Sequence, residues 1–296
     1  MIKINGKEAN FIRHFNDGTQ QLRLPKDFDV NVIENKGVLK FEWYYDSDEE
    51  LLTLQYLVSY YRSVSKGMGI KFILFVPYLP NARMDRVQEY FDAFKSTPRE
   101  VFTLKFFCDI INNMHFDQVQ MYDVHSNVAK SLLDNSVNID PEPNIIAAMK
   151  ESFSDSSFIV CFPDIGALKR YGSMKCFRGI NLVYGVKCRD WHTGYINGIT
   201  LVSADNAKIA NVEGQNVMVI DDIIGSGQTL SIVVRQLADQ GAKKICVEAS
   251  HVENTAVASD NEFIRPLLDD GTISAIYTSN SILRKHHEKI HVFTNY

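Results

Sequence analysis

The chain alternates short, continuously apolar runs with longer stretches in which apolar residues recur at helical spacing. Runs of the first kind are Phe72 to Tyr78, Val119 to Val124, Phe158 to Phe162, Ile180 to Val186, Val217 to Ile220, Ile245 to Ala249 and Ile273 to Thr278. Bounded by turn residues, such runs predict buried strands. Between them, Ser47 to Ser65 carries Leu51, Leu54, Leu57, Val58 and Tyr61 along one helical face, and it opens on Ser47-Asp48-Glu49-Glu50, the S-x-x-E form of a capping box. Thr97 to Asn113 repeats the pattern after Ser96, with Pro98 suited to a first turn. Thr229 to Gln240 stops at Gly241, a natural helix end. Strands alternating with helices predict an α/β fold with mainly parallel sheets.

Pro141-Glu142-Pro143 suggests a division of the chain into residues 1–143 and 144–296, each with an apolar strand running into a polar loop. The first 45 residues read differently, as short strand-like pieces among turns, suited to an edge hairpin or a dimerisation element. Hydrophobic residues make up 45% of the 296 and charged residues 23%, ordinary for a soluble globular protein. The formal net charge of -5 argues against a nucleic-acid or anionic-membrane surface, so any phosphate site must be built locally. Five cysteines, none in a C-x-x-C pair, argue against a zinc site or a disulfide framework and fit a reducing, cytoplasmic setting. Met1-Ile2-Lys3-Ile4-Asn5 lacks the apolar run of a signal peptide, and no apolar stretch reaches the length of about 18 residues that a membrane span requires.

The segment with the clearest chemistry is Val217 to Leu230. A buried strand delivers two adjacent acids, Asp221 and Asp222, and the small-residue loop Gly225-Ser226-Gly227 then leads through Gln228 into a helix at about Thr229. Small residues let backbone N–H groups converge on a phosphate, and a helix N-terminus adds its dipole. Adjacent acids at a strand end suit ribose hydroxyls or a metal. A Gly-rich turn alone would read as a strand, a turn and a capped helix. Acid pair, loop and hydroxyl residues at this spacing favour a functional, phosphate-friendly loop over that plain reading.

This segment resembles the ribose-phosphate motif of type I phosphoribosyltransferases and of ribose-phosphate pyrophosphokinases. Further segments resemble the second family. They are Pro77-Tyr78-Leu79-Pro80-Asn81-Ala82-Arg83-Met84-Asp85-Arg86, Asp123-Val124-His125-Ser126, Phe162-Pro163-Asp164-Ile165-Gly166, Lys187-Cys188-Arg189 and Phe15-Asn16-Asp17-Gly18. They follow the family's order across nearly the whole chain.

The resemblance implies two phosphoribosyltransferase-type α/β domains and transfer of a diphosphoryl group from ATP to the C1 hydroxyl of a ribose phosphate, with Mg²⁺ as cofactor. It implies ATP contacts at Arg83, Asp85, Arg86 and His125, and at Phe15 and Asp17 reaching from a neighbouring copy in a homo-oligomer. His125 and Asp164 fall at metal-side positions. Asp221, Asp222, Gly225, Ser226, Gly227, Gln228 and Thr229 fall on the ribose-phosphate, and Lys187 and Arg189 on the transferring charge, at the start of a lid through Asp190-Trp191-His192-Thr193-Gly194. Taken singly, Arg83 and Arg86 read as surface arginines, His125 as a histidine satisfied by a carbonyl, Asp164 as a helix N-cap, and Lys187 with Arg189 as a hairpin edge. The family pattern also breaks. Met84 stands where it has Gln, Thr19 where it has an acid, Gly225 where it has Asp and Gln228 where it has Gly. Two acceptors therefore stay open, ribose 5-phosphate and the larger ADP-ribose. A type I phosphoribosyltransferase and a silent regulatory paralogue are the other readings.

Overall fold

A computed structural model of the chain describes every residue except 10–11, 26–27, 29–36, 87–100, 155, 190–195 and 295. The described residues form two compact units, Met1–Ile139 and Asp140–Tyr296. The division falls just ahead of Pro141-Glu142-Pro143, because those residues open a helix of the second unit. Pro141 is its N-cap and Pro143 sits in its first turn, where proline's missing N–H breaks no helical bond.

In the first unit the strands are β1 (Ile2–Ile4), β2 (Lys7–Glu8), β3 (Ile12–His14), β4 (Gln20–Leu22), β5 (Val38–Trp43), β6 (Lys71–Val76), β7 (Gln118–Tyr122) and β8 (Ser136–Ile139). Six of them form a sheet in the order β2-β1-β5-β6-β7-β8, parallel from β5 to β8, with β1 and β2 as an antiparallel edge hairpin. Strand β5 alternates. Leu39, Phe41 and Trp43 are buried, while Lys40 and Glu42 between them are less so. The helices α1 (Glu49–Val64), α2 (Thr103–Asn112) and α3 (Asn127–Leu132) link successive parallel strands. Leu54, Leu57 and Tyr61 of α1 and Leu104, Phe107 and Ile111 of α2 share one core with Phe41, Phe72, Leu74 and Met121.

The capping box at Ser47 does not form. Asp48 is the N-cap of α1 and makes no side-chain cap bond. The Glu50 carboxylate instead accepts from the Trp43 indole at 2.9 Å and from the Asp46 N–H at 2.9 Å, which removes it from the reciprocal bond a capping box needs. Residues 96–98, expected to start α2, lie outside the described residues. Strands β3 and β4 form a separate hairpin. It is tied to α1 through Glu49, which His14 meets at 2.7 Å and Gln20 at 3.1 Å.

The second unit contains α4 (Glu142–Phe153), β9 (Phe158–Phe162), α5 (Ile165–Tyr171), β10 (Leu182–Arg189), β11 (Ile196–Ser203), β12 (Asn216–Ile224), α6 (Gln228–Asp239), β13 (Lys244–Val252), α7 (Ile264–Asp269), β14 (Ala275–Ser279) and β15 (Ile290–Phe293). Its sheet runs β11-β10-β9-β12-β13-β14-β15, parallel throughout except for β11. Its central strands are buried on both faces, as parallel strands between two helix layers must be. Val217 and Val219 pack with Leu230, Val233 and Leu237 of α6. Met218 and Ile220 pack with Ile145, Ala148 and Phe153 of α4. Helix α6 ends as its sequence predicts. Gly241 adopts φ +82°, its N–H reaches Ala238 O and that of Ala242 reaches Leu237 O. Both units are thus α/β with mainly parallel sheets. Among the described residues no helix is long and apolar enough to cross a membrane.

Candidate active site

Strand β9 pairs on one side with β10 and on the other with β12. The chain leaves β9 in one direction across the sheet and returns to continue in the other. Between β9 and β12, at their carboxyl ends, lies the topological switch point where open α/β sheets bind ligands. Three acids meet there. Asp164 follows β9, and Asp221 and Asp222 belong to the last part of β12, where Asp221 is paired in register with Ala249.

Asp164 caps α5, its Oδ1 accepting from the N–H groups of Gly166 at 2.9 Å and Ala167 at 3.1 Å. Asp221 Oδ1 accepts from the N–H of Asp222 at 3.0 Å. The buried Asp222 carboxylate lies 3.9 Å from the Arg170 guanidinium. Burial first, and then the negative charges of Asp222 and Asp164, push the Asp221 carboxyl well above the usual carboxylate range. Such a cluster of hard oxygens is short of positive charge. Among the described residues no three His, Cys, Asp or Glu side chains are grouped to hold a metal ion by themselves. Carboxylate oxygens are the hard donors that Mg²⁺ takes, and an ion that keeps its waters and leans on phosphate oxygens needs only one or two of them.

After Ile224 the chain turns through Gly225, Ser226 and Gly227 into α6. Gly227 has φ +86°, and a Cβ there would lie 2.1 Å from Ile264 Cγ1 and 2.6 Å from Cδ1, so only glycine fits. The first bond of α6 runs from Ser231 N–H to Gly227 O at 2.8 Å. Among the described residues, no acceptor is bonded to the N–H groups of Ser226, Gly227 or Thr229, and Gln228 N–H has only Ser226 Oγ at 3.5 Å. Orphan N–H groups at the start of a three-turn helix, beside small residues, form an anion cradle.

Lys187 and Arg189 fall in β10, which runs beyond the predicted end at Val186. They pair with Ile199 and Ile196 of β11, and the register shifts between Cys188 and Arg189. The lid segment Asp190 to Gly194 lies outside the described residues. In the first unit, four of the six expected ATP residues follow the carboxyl ends of strands. Arg83, Asp85 and Arg86 occupy the loop after β6, which turns at Asn81 with φ +62° and is closed by Met84 N–H to Asn81 O at 2.8 Å. His125 is exposed after the adjacent β7. There the backbone turns at buried Asp123 with φ +42°, and Val124 N–H is held by Asn138 Oδ1 at 2.8 Å. Phe15 and Asp17 stand in the turn of the β3–β4 hairpin. Phe15 is 53% exposed, and the Thr19 N–H and hydroxyl both bond the Asp17 carboxylate and hold its pKa below the usual value.

Two site residues carry no visible signal in the sequence. Arg170 reads as one of two basic residues closing a helix, a common complement to the dipole. Asn261 reads as a polar residue in a loop, yet it bonds the Ser226 carbonyl beneath the cradle.

The family model for the phosphoribosyl transferase domain matches residues 178–261, which contain the acid pair and the cradle. The chain is 26% identical to ribose-phosphate pyrophosphokinase 2 of Archaeoglobus fulgidus over 86% of its own length and 83% of that protein's. It is 25% identical to ribose-phosphate pyrophosphokinase of Mycoplasma genitalium over 95% of its length and 77% of the relative's. Among solved structures, phosphoribosylpyrophosphate synthetase from Mycobacterium smegmatis superimposes with a TM-score of 0.68 at 17% identity, covering 95% of this chain and 84% of that one.

Proposed function

The chain belongs to the ribose-phosphate pyrophosphokinase family, and from that membership we propose that it transfers the β,γ-diphosphoryl group of ATP to the C1 hydroxyl of ribose 5-phosphate. The products are phosphoribosyl pyrophosphate and AMP. The observation that carries this reading is the acid pair of β12 running directly into a cradle of unengaged N–H groups at the switch point of the sheet.

Each group then has a task. The cradle, with Ser226 and Thr229 hydroxyls, holds the acceptor's phosphate. Asp221 and Asp222 accept hydrogen bonds from ribose hydroxyls and fix the sugar. The C1 oxygen attacks the β-phosphorus, the bond from that phosphorus to the α–β bridging oxygen breaks, the bridging oxygen leaves as part of AMP, and the C1 hydroxyl gives up its proton to water. Lys187 and Arg189 neutralise charge on the transferring group, where positioned cations contribute most. Arg83, Asp85, Arg86 and His125 bind the nucleotide at the strand ends of the first unit. Phe15 and Asp17 complete a neighbouring copy's ATP site in a homo-oligomer. When bound, Mg²⁺ would be held by His125 in the first unit or by Asp164 in the second, and would supply charge neutralisation for the triphosphate.

A second acceptor, ADP-ribose, is favoured by one observation. Gln228 is exposed at the mouth of the cradle, and no side-chain partner engages its amide among the described residues. An amide there suits a phosphate that is already substituted. The test is incubation with ATP, Mg²⁺ and a panel of ribose phosphates, followed by mass analysis. AMP formation that depends on the acceptor supports a pyrophosphokinase. Its absence favours a phosphoribosyltransferase or a silent paralogue. The ratio of kcat/KM for the two acceptors, before and after Gln228→Gly, decides between them.

A further inference from the structure

The cradle works only if its peptide units face the right way, and the structure shows what holds one of them. In a trans peptide the C=O and N–H point in opposite directions, so fixing the Ser226 carbonyl fixes the direction of the Gly227 N–H. Glycine on one side makes this unit easy to flip. Asn261 Nδ2 donates to Ser226 O at 3.0 Å and, with its second hydrogen, to Thr255 O at 3.0 Å. Its Oδ1 accepts from the N–H groups of Phe263 at 3.0 Å, Ile264 at 2.7 Å and Arg265 at 3.4 Å. Two carbonyls on one end of the amide and three N–H groups on the other fix its orientation. The same side chain therefore holds the cradle's carbonyl and the start of α7, whose first residue, Ile264, is the wall beneath Gly227.

We propose that Asn261 is a positioning residue for the acceptor's phosphate: it latches the Ser226–Gly227 peptide so that the Gly227 N–H faces the bound anion. The inference rests on the reading of this loop as the phosphate cradle. It assigns the residue no contact with substrate. It predicts that the latch acts on the affinity for the phosphate-bearing acceptor and leaves ATP untouched.

Asn261→Ser separates the latch from the cap. A serine hydroxyl still accepts from N–H groups two and three residues on, but is too short to reach Ser226 O. Asn261→Asp keeps both shape and cap and replaces the donor by an acceptor. For both variants the KM of the acceptor should rise roughly 10- to 100-fold, the loss expected of one hydrogen bond to a charged group. The KM of ATP, kcat at saturating acceptor and the melting temperature should stay near the wild-type values. Calorimetric titration with ribose 5-phosphate and with ADP-ribose should show the same loss of affinity. An acceptor affinity equal to the wild type's in both variants overturns the proposal, and so does a parallel loss of ATP affinity and melting temperature. A wild-type protein that binds neither acceptor would instead overturn the cradle reading on which the proposal stands.

Discussion

Gly227→Ala is the sharpest perturbation the cradle allows, because two separable costs meet at one atom. The left-handed backbone at φ +86° costs a non-glycine residue about 1–2 kcal/mol. The new methyl would sit 2.1 Å from Ile264 Cγ1, and Ile264 is fully buried, so it has nowhere to retreat. Forcing a methyl into such a core costs about 1–3 kcal/mol more. The sum, roughly 2–5 kcal/mol, corresponds to a fall in melting temperature of roughly 5–15 °C for a domain of this size. The two costs part company in an Ile264→Ala background. There the nearest remaining atom is the residue-264 Cβ at 3.5 Å, an ordinary contact, and only the backbone term survives. Ile264→Ala alone should cost about 2–5 kcal/mol. The double variant should nevertheless be more stable than the sum of the singles by about 1–3 kcal/mol. Denaturant unfolding of the four proteins measures this coupling directly, and acceptor kcat/KM should recover in part in the double variant. Additivity within about 0.5 kcal/mol would show that the methyl meets no wall and that the steric reasoning is wrong.

Further outcomes follow from the site. A carboxyl whose pKa is raised on folding favours the folded state most at acid pH, and loses that contribution as pH rises from about 4, the usual aspartate value, through its raised value. Asp221→Asn should therefore raise the melting temperature of the ligand-free protein at pH 7 and leave it nearly unchanged near pH 4, while abolishing turnover; equal shifts at both pH values would contradict the assignment. Lys187→Ala should lower turnover on the order of 10²-fold, and Phe15→Ala should raise the KM of ATP. Mixed subunits of the two variants should regain part of the activity if the Phe15 turn serves a neighbouring copy's site, and a mixture no more active than its parts would refute that sharing.

The strands buried on both faces were the most legible part of the fold. Phe158 to Phe162 is apolar at every position, and the observed β9 has those same bounds. Strands that run on into polar or charged residues were read short. The strand predicted to end at Ile220 runs on to Ile224, because the ladder to β13 continues beneath Asp221 and Asp222. β10 likewise continues through Lys187 and Arg189, because an edge pair with β11 satisfies its backbone whatever its side chains. Hydrophobic pattern follows apolar side chains, and a strand that continues through acids or cations outruns it. The cradle itself was legible, since its residues are contiguous. Its supports were not. Ile264 and Asn261 lie far along the chain from Gly227 and Ser226, and one sequence shows no trace of a contact between them. The failed capping box at Ser47 has the same origin, a tertiary partner for Glu50 in Trp43.

The order of strands in the second sheet also bears on how the protein comes off the ribosome. β9 is made early, and its Phe158–Phe162 backbone gains one neighbour when β10 follows. Its other edge stays bare until the chain has been extended through the β10–β11 pair and on to Ile224. During that interval the nascent chain presents a wholly apolar, unpaired strand edge, the kind of surface that recruits other chains. The seam closed by β12 is the one that brings Asp164 beside the acid pair. On the ribosome the Asp164 and β12 acids therefore cannot come together before β12 has been made, and a ribosome stalled ahead of it would hold a half-domain with a bare apolar edge.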